Sequence, residues 1–599
     1  MFQPKKNRIS YFLYVLCVSI MCYTSLFFYP RWKQPANEAT ISWDVSGYYW
    51  YLPSIFIYKD LKHQSFKDNI LDNYGPTYNQ FQQGYMIPNG NYVMKYSCGM
   101  SIMYLPFFAI AHLVAGPLGY PKDGFSTPYQ VAIQLGGLLI SLIGLWYFRR
   151  LMLYFYLDSV VAIVLFLLVF GSNYLNYSAI ECGMAHCWLF TLYVFLILNT
   201  LNFYKSYQRK YAVRIGLLIG LLTLIRPTEI ISCIIPLLWG MENLGYGSIK
   251  NKINILFTKY KYVLLSMAFA AAIISIQLIY WRNISGHWYV YSYRDQHLYF
   301  RSPNFIQYTF SYRTGWLIYT PTLLFAFIGI IPFILYGKNK VAIIAFFLLN
   351  YYVVCSWNIW WYGGRAMIQS YPVLFFCIAE LISVALNRKV ILWLLMPVAL
   401  LFVYFNIWMT NAYHKVNFWD SDCMSGAYFW HVAGRWSVAP EIGLLKDNPE
   451  MYFGQPKQEM LVYQNNFASE TGDCYISDSL SAGKSLRLDK YHQYSPTYKF
   501  PFQPNGAKWI RAQATFSCKA KELAGWRMAQ FVVRLTSNGK TIKENMERVF
   551  HDLEAGQTKN IQLDMKLPDT PCDSVSIWFW NADSDIPIKI ADLKAWTFK

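Results

Sequence analysis

The chain has 599 residues, of which 55% are hydrophobic, 19% aromatic and 14% charged, with a formal net charge of +19. This composition excludes a soluble globular protein of that size and predicts a polytopic membrane protein. The basic excess could suit nucleic acid, but it falls in short clusters between apolar runs, as orientation signals do, so a nucleic-acid partner is rejected.

Allowing about 20 apolar residues per crossing, and fewer where a helix pair is buried in the bundle, gives about eleven spans. They fall at residues 9–29, 129–148, 159–175, 184–204, 213–225, 228–241, 262–281, 316–336, 341–355, 366–386 and 390–409. The clusters Lys5-Lys6-Asn7-Arg8, Arg149-Arg150, Lys205 with Arg209-Lys210, Lys250 through Lys261, Lys338-Asn339-Lys340 and Arg388-Lys389 then share one side, which the positive-inside rule makes cytoplasmic. Residues 98–118 are apolar enough to cross, but a crossing there inverts every later cluster. They are expected to form a juxtamembrane or re-entrant helix, interrupted by Pro106, His112 and Gly116, inside one outer loop, 31–128. No cleavage pattern precedes Arg31, so the first span is expected to stay as an anchor.

Just past that first span comes Trp43-Asp44-Val45-Ser46-Gly47-Tyr48-Tyr49-Trp50-Tyr51, a carboxylate among interfacial aromatics. Asp44 is placed for chemistry at the membrane surface; the alternative is an aromatic belt with a solvated Asp. Three more outer clusters follow. In Ser178-Ala179-Ile180-Glu181-Cys182-Gly183-Met184-Ala185-His186, Glu181 and His186 are suited to a metal or a phosphate, or else Glu181 caps the helix and His186 bonds a neighbour. In Leu224-Ile225-Arg226-Pro227-Thr228-Glu229, Arg226 costs roughly 2.5 kcal/mol or more at membrane depth and needs a partner. That partner is a phosphate at the apex of two short helices, or Glu229. The third cluster joins Trp357-Asn358-Ile359-Trp360-Trp361-Tyr362-Gly363-Gly364-Arg365 to a basic loop with Arg294, Asp295, His297, Arg301 and Arg313. Flexible glycines beside Arg365, flanked by indoles, suit a phosphate clamp with rings for a sugar or isoprenoid; an aromatic girdle with a snorkelling arginine is the other reading.

After residue 409 the pattern changes to period-two alternation at 509–516, 531–535 and 574–579, with the turn Ser537-Asn538-Gly539. This predicts an antiparallel β-sandwich or jelly roll over 465–599, joined by a linker, 416–464, and placed outside by the odd number of crossings. Cys474, Cys518 and Cys572 match no metal spacing and allow at most one bridge.

The acid soon after span one, the juxtamembrane helix, the short helix pair with Arg226-Pro227-Thr228 at its apex, and Trp360-Trp361-Tyr362-Gly363-Gly364 before a late span resemble the GT-C integral membrane glycosyltransferases. The resemblance covers residues 1–415. It is closest to the bacterial group with the Rgt-like and lipid A aminoarabinose transferases and the protein O-mannosyltransferases. It implies a multi-pass enzyme of the cytoplasmic (inner) membrane, N-terminus inside and C-terminal domain outside. The donor would be a polyprenyl-phosphate sugar and the acceptor a glycan, lipid or protein hydroxyl. Asp44 would be the general base of an inverting transfer. Arg226 and Arg365, with Arg294 and Arg313, would hold the donor phosphate. Trp43, Tyr48, Tyr49, Glu181, His186, Trp361 and Tyr362 would line the substrate. Position 46 is serine, so an Asp-x-Asp metal pair is absent, and a divalent ion would need Asp44 with Glu181. Asp60 is a second loop acid that competes for the role of base. A lipid-linked polysaccharide polymerase or ligase, or a lipid or oligosaccharide transporter, are the alternative functions. A transporter should show related halves and mid-span polar groups, whereas here the polar clusters gather on one face.

Overall fold

The computed structural model describes residues 8–77, 81–294, 296–357, 362–416, 418–420, 423–478, 480, 482–519, 529–553, 556–582 and 586–599. The chain forms two compact units, Met1–His414 and Lys415–Lys599.

In the first unit, six helices are long and apolar enough to cross a membrane: Arg8–Lys33, Thr127–Leu153, Ala185–Ser206, Tyr260–Ser285, Tyr362–Asn387 and Lys389–Val416. Shorter apolar helices follow the remaining expected spans at Asp158–Phe170, Pro227–Leu238, Pro321–Tyr336 and Lys340–Cys355, together with Arg209–Ile225. The protein is therefore a multi-pass membrane protein. Burial separates core helices from lipid-facing ones: 83% of the apolar window of Tyr362–Asn387 is buried, against 6% for Tyr260–Ser285 and 11% for Lys389–Val416. Small residues set the closest approaches. A Cβ on Gly137 would lie 1.9 Å from the Cys182 carbonyl oxygen, and one on Gly216 would lie 2.3 Å from that of Ser266.

Several of the helix ends that carry basic clusters are tied to neighbours; Lys5, Lys6 and Asn7 of the first cluster lie outside the described residues. Asp158 accepts from the Ile9 amide (2.9 Å) and the Ser10 hydroxyl (2.5 Å), and Arg149 Nε donates to that hydroxyl (2.8 Å). Lys205 lies 4.0 Å over the Tyr154 ring, and Lys252 donates to the Tyr204 hydroxyl and the Trp239 carbonyl, both at 2.6 Å. A helix within the basic loop, Tyr246–Thr258, brings Lys252 there and was not expected from the sequence.

The stretch 31–128 is a folded cap. It holds the short helices Trp43–Tyr49, Tyr51–Phe56 and Lys67–Tyr74, a hairpin pairing Gly84–Met86 with Tyr92–Met94, and the helix Gly99–Ala115. That last helix covers the segment expected to be juxtamembrane, and Ile102, Leu105, Ile110 and Leu113 on it are exposed, an apolar side of the kind that meets lipid. Polar side chains lock the cap: Trp50 Nε1 donates to Gln64 Oε1 (2.8 Å) and Gln83 Nε2 to Ser46 Oγ (2.8 Å).

The second unit is an antiparallel sandwich. One sheet has the order Thr558–Lys566, Trp509–Ser517, Ile588–Phe598, Ser485–Leu488, Tyr475–Ile476, with Met460–Asn465 also paired to Ile588–Phe598. The other runs Tyr498–Pro501, Ser574–Trp580, Gln530–Ser537, Lys540–Arg548. Alternating inward residues such as Ile510, Ala512, Ala514, Phe516, Phe531, Val533, Val575 and Ile577 form its core. The stretch 416–464, expected as a linker, belongs to this unit. It carries the helix Gly426–Val432 and packs Tyr452 on Trp509 (ring centroids 5.6 Å apart). Cys474, Cys518 and Cys572 are all free thiols.

Candidate functional site

Asp44 sits in the first turn of the helix Trp43–Tyr49, which it enters through Trp43 at φ +45°, a left-handed conformation that costs a bulky residue about 1–3 kcal/mol. The Trp43 amide donates to the Pro76 carbonyl (2.9 Å), holding that turn against the rest of the cap. Asp44 Oδ2 accepts from Arg365 Nη2 at 2.7 Å, and Oδ1 accepts from the Tyr96 hydroxyl at 2.7 Å. Burial works to raise the Asp44 carboxyl, but the Arg365 guanidinium, the Tyr96 hydroxyl and the charges of Lys95 and Arg226 outweigh it and hold the group below its ordinary range. The Tyr96 hydroxyl is raised by burial and by Asp44, so it stays a proton donor.

Arg365 reaches Asp44 because of the two glycines before it. Gly363 and Gly364 both have φ +62°, and a Cβ on Gly364 would lie 2.6 Å from Trp316 Cβ. Their carbonyls accept from Asn173 Nδ2 (2.8 Å) and the Tyr308 hydroxyl (3.0 Å). The expectation of flexible glycines is corrected: the pair is a fixed left-handed turn, tight at Gly363 and with no room for a side chain at Gly364.

Arg226 follows the last residue of Arg209–Ile225 in an extended conformation (φ −140°, ψ 117°), and Pro227 starts the next turn. Among the described residues its guanidinium forms no hydrogen bond or ion pair. The alternative partner, Glu229, instead accepts from the Tyr193 hydroxyl (2.6 Å) and Gln369 Nε2 (3.1 Å). Gln369 Oε1 also lies 3.2 Å from His186 Nδ1, so the cluster that holds His186 and the one that holds Glu229 meet through this amide. Glu181 turns away from His186, to Arg31 Nη1 (3.5 Å) and the Tyr413 hydroxyl (3.3 Å); burial raises its carboxyl and Arg31 opposes that. The reading of Glu181 and His186 as one grip is corrected accordingly.

A cavity of about 410 Å³ joins these groups. Asp44, Tyr48, Lys95, Tyr96, His186, Arg226, Glu229, Arg365 and Gln369 line its polar end, Trp281, Tyr289, Tyr291, Tyr293 and Trp357 add rings, and Leu224, Ile274, Leu278, Val353 and Val354 form an apolar wall. Other expected site residues lie elsewhere. Tyr49 is buried with its hydroxyl on the Gly124 carbonyl (2.5 Å), and Tyr362 stacks on Tyr413 with centroids 4.6 Å apart. Arg294 is exposed, 4.9 Å over the Tyr85 ring, and Arg313 is exposed; neither lines the cavity, nor does Trp43. Trp361 lies outside the described residues. Asp60 accepts from the His63 amide (2.8 Å) and the Ser65 amide and hydroxyl (both 2.7 Å), which makes it a turn cap away from the cavity. Sequence reasoning missed Lys95, Tyr96, Tyr293 and Gln369. The signal for the first two was a Lys-Tyr pair closing the loop just before the apolar segment 98–118.

Asp44 lines the cavity and is engaged by Arg365, Glu181 is not in its lining and is engaged by Arg31, and among the described residues no group of three His, Cys, Asp or Glu gathers at the cavity. They do not fit a divalent ion as a pair, and no step below runs through one.

No protein-family model and no curated relative matches the chain. Among solved structures, the chain is similar to the arabinosyltransferase EmbB from Mycobacterium smegmatis, at 8% identity and TM-score 0.39. The match covers 99% of this chain and 65% of the EmbB chain, so this chain spans less than two thirds of that protein.

Proposed function

We propose that the chain is a GT-C-type membrane glycosyltransferase that moves a sugar from a polyprenyl-phosphate donor to a hydroxyl acceptor at the outer face of the cytoplasmic membrane. The observation that carries this reading is the meeting, in one cavity, of an ionised carboxylate from the loop after the first span, an arginine from a helix apex that has no ion-pair partner among the described residues, and a second arginine from a fixed turn before a late span. The apolar wall beside them suits a prenyl chain, and the rings suit a sugar face.

The phosphate of the donor lies between Arg226 and Arg365, with Lys95 nearby. In competing with Asp44 for Arg365, it removes the contact that most lowers the carboxyl and so makes Asp44 a better base. The acceptor oxygen then bonds to the anomeric carbon, the bond from that carbon to the phosphate oxygen breaks, and the proton passes to Asp44. The electron pair leaves with the polyprenyl phosphate, whose extra negative charge the arginines stabilise. A single displacement inverts the anomeric carbon. On this reading the basic helix ends lie toward the cytoplasm and the cap, the Arg226 apex and the Arg365 turn toward the outside, with the C-terminal unit outside as well if the crossings are odd in number, as the sequence suggests. Purified protein mixed with polyprenyl-phosphate sugars and an envelope extract should release polyprenyl phosphate in step with glycosylated acceptor. Release without acceptor-dependent transfer would contradict the reading.

A further inference from the structure

The C-terminal unit holds a buried cluster that has no part in the transfer reaction. Asp420 and Cys423 precede the helix Gly426–Val432, and His551 ends the turn Val549–His551 that follows the strand Lys540–Arg548. Cys423 Sγ lies 3.0 Å from His551 Nε2, and Asp420 Oδ2 lies 3.7 Å from the same nitrogen. On the other side of the ring, Nδ1 is 3.1 Å from Asp447 Oδ2 and 3.8 Å from Glu547 Oε1. Cys423 is 3% exposed and Glu547 1%.

We propose that Asp420, Cys423 and His551 bind one divalent transition-metal ion of the zinc type, with Asp447 and Glu547 orienting the imidazole from behind. One donor atom from each of the three residues lies within 4.8 Å of the others, so a single ion reaches all three. Thiol, imidazole and carboxylate together are the borderline donor set that zinc takes, whereas calcium and magnesium take oxygen alone. A metal on Nε2 fixes the proton on Nδ1, facing Asp447, the arrangement in which a carboxylate backs a ligating histidine. Behind the ring, Asp447 Oδ2 and Glu547 Oε1 put negative charge 3.1 and 3.8 Å from Nδ1, which favours the proton on that nitrogen and leaves Nε2 free to ligate. Tetrahedral zinc places its sulfur and nitrogen ligands about 3.6 Å apart, so binding needs Cys423 and His551 to part by about half an ångström. With Cys423 and His551 buried and Asp420 only partly exposed, the ion is structural: it clamps the segment that carries Asp420 and Cys423 to the turn after Lys540–Arg548.

The test uses the full chain purified in detergent without chelators, with metal content measured by mass spectrometry and cobalt(II) alone as an optical probe. About one zinc per chain is expected, together with a cobalt-thiolate charge-transfer band that Cys423→Ser removes, and a lower unfolding temperature of the C-terminal unit after chelation. If His551→Gln fails to fold, the cobalt spectrum of the unmodified chain still decides the matter. Stoichiometric cobalt without the thiolate band removes Cys423 from the ligand set and overturns the assignment. Absence of any retained or added metal, with unfolding indifferent to chelator, overturns the site.

Discussion

Replacing Asp44 with asparagine keeps the shape of the side chain and an oxygen to accept from Tyr96, but it removes the proton acceptor and the charge that Arg365 holds at 2.7 Å. Loss of a general base costs about 10²–10⁴ in rate, or roughly 3–5 kcal/mol of transition-state stabilisation. The structural cost is smaller. The pair is 24% exposed on both sides, and a charged hydrogen bond contributes about 1.5–3 kcal/mol when fully buried, so the loss falls toward the low end of that range. Donor binding moves the other way, because the phosphate no longer competes with a carboxylate for Arg365. Asp44→Asn should therefore transfer at least about 100-fold more slowly while binding polyprenyl phosphate as well as, or more tightly than, the unmodified chain. The assay is transfer of labelled sugar in reconstituted vesicles, beside a binding titration with polyprenyl phosphate. Retention of more than about a tenth of the rate refutes Asp44 as the base. Equal loss of rate and of phosphate binding would make Asp44 only a holder of Arg365.

Arg226→Ala should cut turnover by about 10²–10³ with little change in acceptor affinity, and lysine should rescue only part because it lacks the bidentate fork. Since Arg226 forms no ion pair among the described residues, the same variant should lower the unfolding temperature less than Arg365→Ala, which breaks the 2.7 Å contact with Asp44; the reverse order would point to a structural role for Arg226. Gly364→Ala should destabilise by about 2–4 kcal/mol and lower donor binding, because it meets both the left-handed φ and the Trp316 side chain, measured by thermal unfolding and phosphate titration. The lowered carboxyl of Asp44 sets a pH dependence: the ion pair's stabilisation is present above the unfolded carboxyl range near 3.9 and is lost only as pH falls through the lower folded value. The acid limb of kcat/KM from Asp44 should thus lie below about pH 4, while that of kcat lies higher because the bound phosphate has taken Arg365; superimposed limbs would argue against the exchange of partners. Cysteine probes near Asp44 and in the Ser537–Gly539 turn should react from outside and one at Lys338 should not, whereas a cytoplasmic turn would contradict the odd count of crossings.

The helices and the sandwich were legible because hydropathy and period-two alternation act locally; the expected spans fall on helical segments, six of them long and apolar enough to cross, and strands such as Trp509–Ser517 follow the alternation. The contributions of Asp44, Arg226 and Arg365 to one site were legible as charges at costly positions. Their partners were not. Arg365 meets Asp44 across 321 residues, and Gln369 links His186 to Glu229 across 183 and 140, separations that no local pattern encodes. Arg294 and Arg313 looked equally suited by charge alone, but an arginine's reach depends on its backbone, and of the described late-loop arginines it is Arg365, after the Gly363-Gly364 turn, that lines the cavity. The 416–464 stretch looked like a linker because short helices and turns carry little periodicity, and its packing on the sandwich is tertiary.

The most direct measurement is mass analysis of surface glycans and lipid-linked intermediates from cells lacking this chain, restored with the unmodified protein or with Asp44→Asn. Transfer from a polyprenyl-phosphate sugar predicts loss of a single sugar residue from one glycan, lipid or protein and accumulation of the matching lipid monophosphate sugar, both reversed by the unmodified chain and not by Asp44→Asn. Accumulation of a complete lipid-linked polysaccharide would instead indicate a polymerase or ligase, and unchanged glycans and intermediates would contradict the glycosyltransferase outright.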